Sequence, residues 1–317
     1  MKKMTLGKTG LEVTELCFGA LPIGPLQKNL DGDAAAGVIA RALELGVNFV
    51  DTAQMYRTYG AIRKAMEMTG KRPVISNKSH AATYDEMDAA VKEAFRELGV
   101  DYIDIFLLHA ARVSPNVMSE REGAFRCLLD YREKGLIRAA GISSHAVDVI
   151  NMAAGQKDFD IVFPILNKTG MGVIRGSLAE MEAAIENCLD KGKGVYLMKA
   201  LGGGNLVKDY LGAMEYARGF SAGRTPVALG MVSRPEVEMN VKYFSGKDVS
   251  AELAGLKDPR KQMFVFGQLC KSCGKCVDAC HSSAMEMTDG KAAVIEGKCL
   301  KCGYCVAACP EFAIRMV

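Results

Sequence analysis

Through its first 255 residues the chain alternates between two patterns. Short runs rich in Val, Ile, Leu and Phe close on a polar residue or a glycine, at residues 15–19, 47–51, 73–78, 103–109, 137–143, 160–167, 195–199 and 226–230. Between them, longer stretches repeat their apolar positions every three to four residues, as in 85–98, 120–134 and 178–190. The first pattern predicts strands buried on both faces; the second predicts helices that bury one stripe. Eight strand–helix units in about 250 residues match the size of a (β/α)8 TIM barrel. The fold class expected is therefore α/β. A doubly wound sheet would want G-x-G-x-x-G after its first strand, and Gly19-Ala-Leu-Pro-Ile-Gly24 does not supply it. Ahead of the first barrel strand, Gly7-Lys-Thr-Gly10 between two extended pieces predicts an N-terminal hairpin. Over residues 246–260 the periodicity fades and charge rises, which reads as a linker. The expected domains are a barrel over 1–255 and a small α+β domain over 256–317.

Composition changes this picture at one point. Hydrophobic residues make up 49% and charged residues 24% of the 317, an ordinary globular mix. No run approaches the roughly 18 apolar residues of a membrane helix, and the start lacks an apolar block behind its lysines, so a cytoplasmic protein with no membrane partner is expected. A net charge of +3 is too small to argue for nucleic acid. Cysteine is the outlier: of 11, all but Cys17, Cys127 and Cys188 lie beyond residue 269. They form two runs, Cys270-x2-Cys273-x2-Cys276-x3-Cys280 and Cys299-x2-Cys302-x2-Cys305-x3-Cys309-Pro310. Three thiolates in one tight loop hold three corners of a cubane, and the fourth cysteine of each run reaches the other cluster. Cys270, Cys273, Cys276 and Cys309 are thus expected to hold one [4Fe–4S] cluster, and Cys299, Cys302, Cys305 and Cys280 the second. Zinc sites usually take their ligands as two pairs, which two triplets fit poorly. These residues resemble a two-cluster bacterial ferredoxin domain, with His281 standing where that pattern would place a proline.

Barrel enzymes react at the C-terminal ends of their strands. The second strand closes on Asp51, with Tyr56 five residues on; the third closes on Lys78 and the fourth on His109. A lysine ammonium beside a phenol favours the phenolate and brings proton donation toward neutral pH. An aspartate paired with that lysine keeps it charged, and a histidine within reach can orient a carbonyl. The set forms a proton donor for a carbonyl that is being reduced. Tyr59, one turn further on, is set aside.

At these residues the chain resembles the aldo-keto reductase family. The resemblance runs over roughly residues 1–245 and includes the opening hairpin, the Asp51–Tyr56 segment, Lys78, His109, the turn Gly141-Ile-Ser-Ser144 and Leu229-Gly-Met-Val-Ser. It implies that Asp51, Tyr56, Lys78 and His109 are a catalytic tetrad and that NAD(P)H lies across the barrel mouth. The cofactor positions it implies are Ser143, Ser144, Asn167 and Gly230; beside them, Gly202 and Gly203 would let a pyrophosphate approach closely and Lys199 would salt-bridge a phosphate. Phe163 stands where the family has Gln, and Gly230 and Glu236 stand where a 2′-phosphate would want cations. Arg234 supplies a cation there if the alignment shifts by a residue. Weak preference for NADPH over NADH follows.

The function expected is an iron–sulfur oxidoreductase of aldo-keto reductase type, reducing or forming a carbonyl on a small molecule with Tyr56 as general acid/base. The alternative is a flavin- or ferredoxin-linked enzyme on the same scaffold, with FMN at the mouth or a redox partner protein and the clusters relaying electrons. It arises because a nicotinamide moves a hydride while each cluster moves one electron. An electron carrier with an inert barrel and a Schiff-base aldolase using Lys78 or Lys199 are the weaker readings.

Overall fold

The computed structural model describes residues 1–110, 116–255, 262–280, 284–295 and 304–316. The opening hairpin pairs β1 (Lys3–Thr5) with β2 (Glu12–Thr14), antiparallel, with Lys3 opposite Thr14. The barrel strands follow: β3 (Leu16–Gly19), β4 (Phe49–Asp51), β5 (Val74–Ser79), β6 (Ile103–His109), β7 (Ile137–Ser144), β8 (Ile161–Pro164), β9 (Gly194–Val195), β10 (Leu197–Met198) and β11 (Val227–Gly230). All pair in parallel, in the order β10-β11-β3-β4-β5-β6-β7-β8-β9. The two ends of that order, β9 and β10, are consecutive pieces of one strand interrupted at Tyr196, so the sheet runs back toward itself as a barrel of eight strands.

Between strands lie α1 (Gly32–Glu44), α2 (Tyr59–Thr69), α3 (Tyr84–Leu98), α4 (Val117–Glu120), α5 (Glu122–Glu133), α6 (Val147–Gly155), α7 (Leu178–Asp190), α8 (Tyr210–Gly219), α9 (Arg234–Phe244) and α10 (Ser250–Gly255). Several start on side chains that satisfy free N–H groups. Thr83 and Glu86 form a capping box on α3, and Ser177 and Glu180 do the same on α7. The core is one apolar cluster of strand and helix faces. Asp104 sits inside it, near the start of β6, and is accounted for: its carboxylate accepts from Arg72 at 2.8 Å, Arg138 at 3.2 Å and the Ile75 N–H at 3.0 Å.

The C-terminal module carries β12 (Met263–Val265), α11 (Lys275–Asp278), β13 (Met285–Thr288), β14 (Lys291–Val294), α12 (Tyr304–Ala308) and β15 (Ile314–Met316). Strands β12 and β15 pair antiparallel, as do β13 and β14. Cys299, Cys302, His281 and the end of the linker lie outside the described residues.

Candidate active site

The strands place four side chains at one end of the barrel. Asp51 ends β4, Lys78 is next to last in β5, and His109 ends β6. A 3-10 turn over Gln54–Tyr56, ended by Arg57 in the left-handed region, turns Tyr56 back over them. Lys78 is buried and donates to both oxygens of Asp51, at 2.8 and 2.7 Å, and to the Thr52 carbonyl at 2.8 Å. Its ammonium lies 4.9 Å from the Tyr56 ring centre. The Tyr56 and His109 rings meet edge-on at 5.9 Å. The tetrad residues are therefore gathered in one cluster.

Electrostatics inside this cluster are set by burial. Loss of water would strip Lys78 of its proton, but the Asp51 carboxylate, together with Tyr56 and Cys17, outweighs it and raises the ammonium's pKa. Burial pushes the Asp51 carboxyl up against the pull of Lys78 and of the Tyr196 hydroxyl. Tyr56 differs from expectation. Burial raises its phenol above the ordinary value, more than Lys78 and Arg315 lower it. The neighbouring lysine does not by itself bring this tyrosine toward neutral pH. His109 is held well below the ordinary histidine range by burial and by His80, Lys78, His145 and Arg121, so its imidazole is neutral. Its Nδ1 has no hydrogen-bond partner among the described residues.

Several contributors were not legible in the sequence. Tyr196, at the break between β9 and β10, donates to Asp51 at 2.9 Å and shares a 2.7 Å hydrogen bond with Ser76. The Phe163 ring stacks on Tyr196 at 3.8 Å and 13°, so that face serves the barrel core and not a cofactor. His80 lies 4.1 Å from the His109 ring at the rim, beside an open groove of about 580 Å³ lined by Met55, Arg57, Tyr59 and Glu93. Its place two residues after Lys78, on the same strand face, was the available signal. Tyr59 opens α2 and donates to Asn77 at 3.0 Å, away from the tetrad.

The cofactor positions are placed as follows. Ser143 and Ser144 end β7, both buried; the Ser143 hydroxyl has no partner among the described residues. Ser144 Oγ accepts the Ala146 N–H at 3.2 Å. Asn167 is turned onto its own loop, accepting from Thr169 and Met171 and donating to the Met171 carbonyl. Gly202 and Gly203 form a tight turn after Lys199. A Cβ on Gly230 would stand 2.2 Å from Pro22. Glu236 accepts the Val232 N–H at 2.9 Å at the start of α9, and Arg234 lies against Gly37.

Over this mouth sits the end of the C-terminal module. Phe312 is buried with the barrel core, its ring 6.0 Å from His145 and 5.1 Å from the Lys199 ammonium. Arg315 is buried as well and donates to the Phe312 carbonyl at 3.0 Å.

Within the module, Cys270, Cys273, Cys276 and Cys309 line one cavity, the grouping that the crossed spacing implied. Backbone N–H groups of Ala292 and Ala313 point at the sulfurs of Cys270 and Cys309, at 3.4 and 3.3 Å. The first of these, with that of Ser272, lowers the Cys270 thiol's pKa. Cys305 is buried on α12, and Cys280 accepts the Ala284 N–H at 3.2 Å. No three Cys, His, Asp or Glu side chains among the described residues close around the space of a single ion.

Comparison with known proteins covers both parts. Residues 15–245 match the aldo/keto reductase family, and residues 255–314 match a 4Fe-4S dicluster domain. An uncharacterized oxidoreductase, YqkF, of Bacillus subtilis is 30% identical over 165 residues, 47% of this chain and 51% of that protein. The methylglyoxal reductase DkgB of Salmonella typhi is 30% identical over 132 residues, 39% of this chain and 48% of that protein. The chain thus spans about half the length of these curated relatives. The aldo-keto reductase AKR11C1 from Bacillus halodurans shares the fold, with a TM-score of 0.62 at 21% identity, over 81% of this chain and 97% of that one.

Proposed function

The chain belongs to the aldo/keto reductase family, and from that premise we propose that this oxidoreductase interconverts a small carbonyl compound and its alcohol at the barrel mouth, with Tyr56 as the acid/base. The observation that carries the reading is the buried Asp51–Lys78 ion pair with its ammonium 4.9 Å from the Tyr56 ring, which His109 meets edge-on at 5.9 Å. Tyr56 gives its proton to the carbonyl oxygen as that oxygen gains negative charge. A developing alkoxide is a stronger base than a phenolate, so even a phenol of raised pKa is a competent donor. Lys78 then faces the phenolate at short range in a dry site, where its charge counts most. Asp51, held by Tyr196, fixes the ammonium in place. Neutral His109 keeps one N–H to orient the carbonyl.

The residues fit the implied groups unequally. Cys270, Cys273, Cys276 and Cys309 around one cavity, with N–H groups aimed at the sulfurs, suit a [4Fe–4S] cluster. Bound there, a cluster supplies electrons one at a time. A dinucleotide or FMN does not fit the mouth as it stands: Phe312 lies over Lys199, Arg315 stands at the Gly203 turn, and Asn167 is committed to its loop.

The test is Tyr56→Phe in the full, cluster-loaded chain, supplied with NADPH or, separately, reduced with dithionite and desalted, with a panel of small aldehydes and ketones that includes methylglyoxal. Turnover should drop by roughly 10²–10⁴-fold, the scale of general acid–base catalysis, with the circular dichroism spectrum unchanged. Full turnover in this variant would place the chemistry elsewhere.

A further inference from the structure

The docking of the C-terminal module is specific. Phe312 has φ +51°, a left-handed backbone that bulky residues rarely adopt. Such a conformation persists only where the surrounding structure imposes it. Here it aims the ring out of the module and into the barrel. The barrel is shaped to receive it: a Cβ on Gly172 would stand 2.1 Å from Phe312 Cζ. Lys199, the barrel residue under the ring, is itself left-handed at φ +60°. Beside it, a Cβ on Gly203 would stand 3.7 Å from an Arg315 guanidinium nitrogen. Lys199 and Gly203 are positions where the sequence places a dinucleotide's phosphates.

The same few residues reach back to the cluster cavity. Ala313, next to Phe312, donates its N–H to the sulfur of Cys309 at 3.3 Å. The Phe312 N–H bonds to the Cys309 carbonyl at 3.2 Å. Three residues span at most about 11 Å, so one cluster ligand and the ring in the mouth belong to a single short, hydrogen-bonded piece of chain.

We propose that the C-terminal module is itself the reductant of the barrel site: with Phe312 and Arg315 seated where a dinucleotide would lie, electrons pass from the Cys309 side of the module to a conjugated carbonyl at Tyr56. The inference rests on the acid/base role of Tyr56 argued above. Substrate class follows from the electron count. Clusters give single electrons, so the acceptor must hold one electron as a delocalised radical before the second arrives. Quinone-type carbonyls do so; isolated ketones do not. For a quinone the balance is two electrons and two protons. Loaded with its clusters, the module would supply the two electrons one at a time; both C=O π bonds open, the ring becomes aromatic and two O–H bonds form. One proton comes from Tyr56 and the other from water, and Tyr56 is reprotonated by solvent. A low-potential one-electron carrier protein reloads the clusters.

The experiment uses the full chain as anaerobic holoprotein. NADPH and NADH titrations should show no saturable binding in the wild type. Phe312→Ala should raise nucleotide affinity roughly tenfold or more, because the open, competent form becomes the major one. Gly172→Ala, which crowds the ring from the barrel side, is the second variant and should act in the same direction. In parallel, protein reduced with dithionite and desalted is mixed with a naphthoquinone, and the visible absorbance of the clusters is followed. Oxidation of both clusters should yield one hydroquinone per chain, and Tyr56→Phe should slow it by roughly 10²–10⁴-fold. Tight NADPH binding in the wild type, untouched by either mouth variant, would overturn the proposal. So would cluster oxidation at an unchanged rate in Tyr56→Phe, which would mark simple leakage to the quinone. If NADPH drives Tyr56-dependent carbonyl reduction while the clusters stay oxidised, this inference falls and the carbonyl chemistry stands. If Tyr56→Phe leaves every turnover intact, both fall.

Discussion

The barrel and the C-terminal module are held together by different things. The barrel buries a continuous apolar cluster drawn from strands and helices along its whole length. Among the described residues, four of the nine buried in the module's cluster are cysteines: Cys270, Cys276, Cys305 and Cys309. One core is hydrocarbon and depends on packing. The other mixes those thiols with a few apolar side chains, so part of its burial depends on what the thiols bind. The contrast separates a part that folds from its own sequence from a part that awaits a ligand.

The largest effect expected is from iron removal. Metal binding and folding are one free energy where the site forms only on folding. Chelation of the holoprotein should therefore melt residues beyond the linker while the barrel keeps its own unfolding transition. Hydrogen exchange resolved by segment is the measurement. Barrel and module unfolding as one unit would erase the contrast. Cys309→Ser sharpens it, because it should cost the cluster shared with Cys270, Cys273 and Cys276 and spare the one nearest in sequence.

Next comes the bottom of the barrel. Asp104 and Asp51 are both buried aspartates paired with cations, at opposite ends of the strands. Asp51 sits at the reactive end; Asp104 joins Arg72, Arg138 and the Ile75 N–H far from it. Asp104→Ala should cost roughly 2–4 kcal/mol, through lost charge-assisted hydrogen bonds and an orphaned N–H. Urea unfolding would show the loss in the barrel transition. The visible spectrum of the clusters should not change.

How much of the molecule is legible in the sequence also divides along the two parts. Strand ends are set by local pattern, so Asp51, Lys78 and His109 could be placed from that pattern alone. The proposed cluster ligands follow from spacing, because a cubane demands fixed intervals. Tyr196 was hidden because its role depends on a break in the seventh strand, which no periodicity marks. Phe312 and Arg315 were hidden for a deeper reason. Their partners, Lys199, Gly172 and Gly203, lie more than a hundred positions earlier in the chain. A left-handed phenylalanine leaves no trace in composition. Burial also reversed one expectation: charge proximity predicted an acidified Tyr56, and desolvation outweighed it.

The pH response of the barrel is a smaller effect with a definite sign. His109 is neutral in the fold because burial depresses its pKa, whereas an unfolded histidine titrates near 6.5. Below about pH 6.5 the unfolded chain binds a proton that the folded one refuses, so stability falls as pH falls. The slope approaches about 1.4 kcal/mol per pH unit for this one group. Urea midpoints of the barrel transition between pH 7.5 and about pH 5 would measure it, and His109→Gln should flatten the curve. An equal slope in the variant would assign the acid sensitivity to other groups, such as His80, whose pKa burial lowers to about 4.

The smallest effect compares helix starts. In the barrel, Thr83 caps α3 through a side chain that accepts the Glu86 N–H. In the module, α11 begins at Gly274 with φ +74° and no side-chain cap. Removing the hydroxyl with Thr83→Ala orphans an N–H and should cost about 1 kcal/mol. Gly274→Ala meets no neighbouring atom, so its cost of roughly 1–2 kcal/mol comes only from forcing a Cβ into the left-handed region. The two changes are similar in size and should be read in different places. Thr83→Ala should lower the urea midpoint of the barrel and leave the rate of iron loss to a chelator unchanged. Gly274→Ala lies between Cys273 and Cys276, so it should speed iron loss and leave the barrel midpoint where it was. If Gly274→Ala also shifts the barrel transition, the docked Phe312 couples the two cores, and they are not separable folding units.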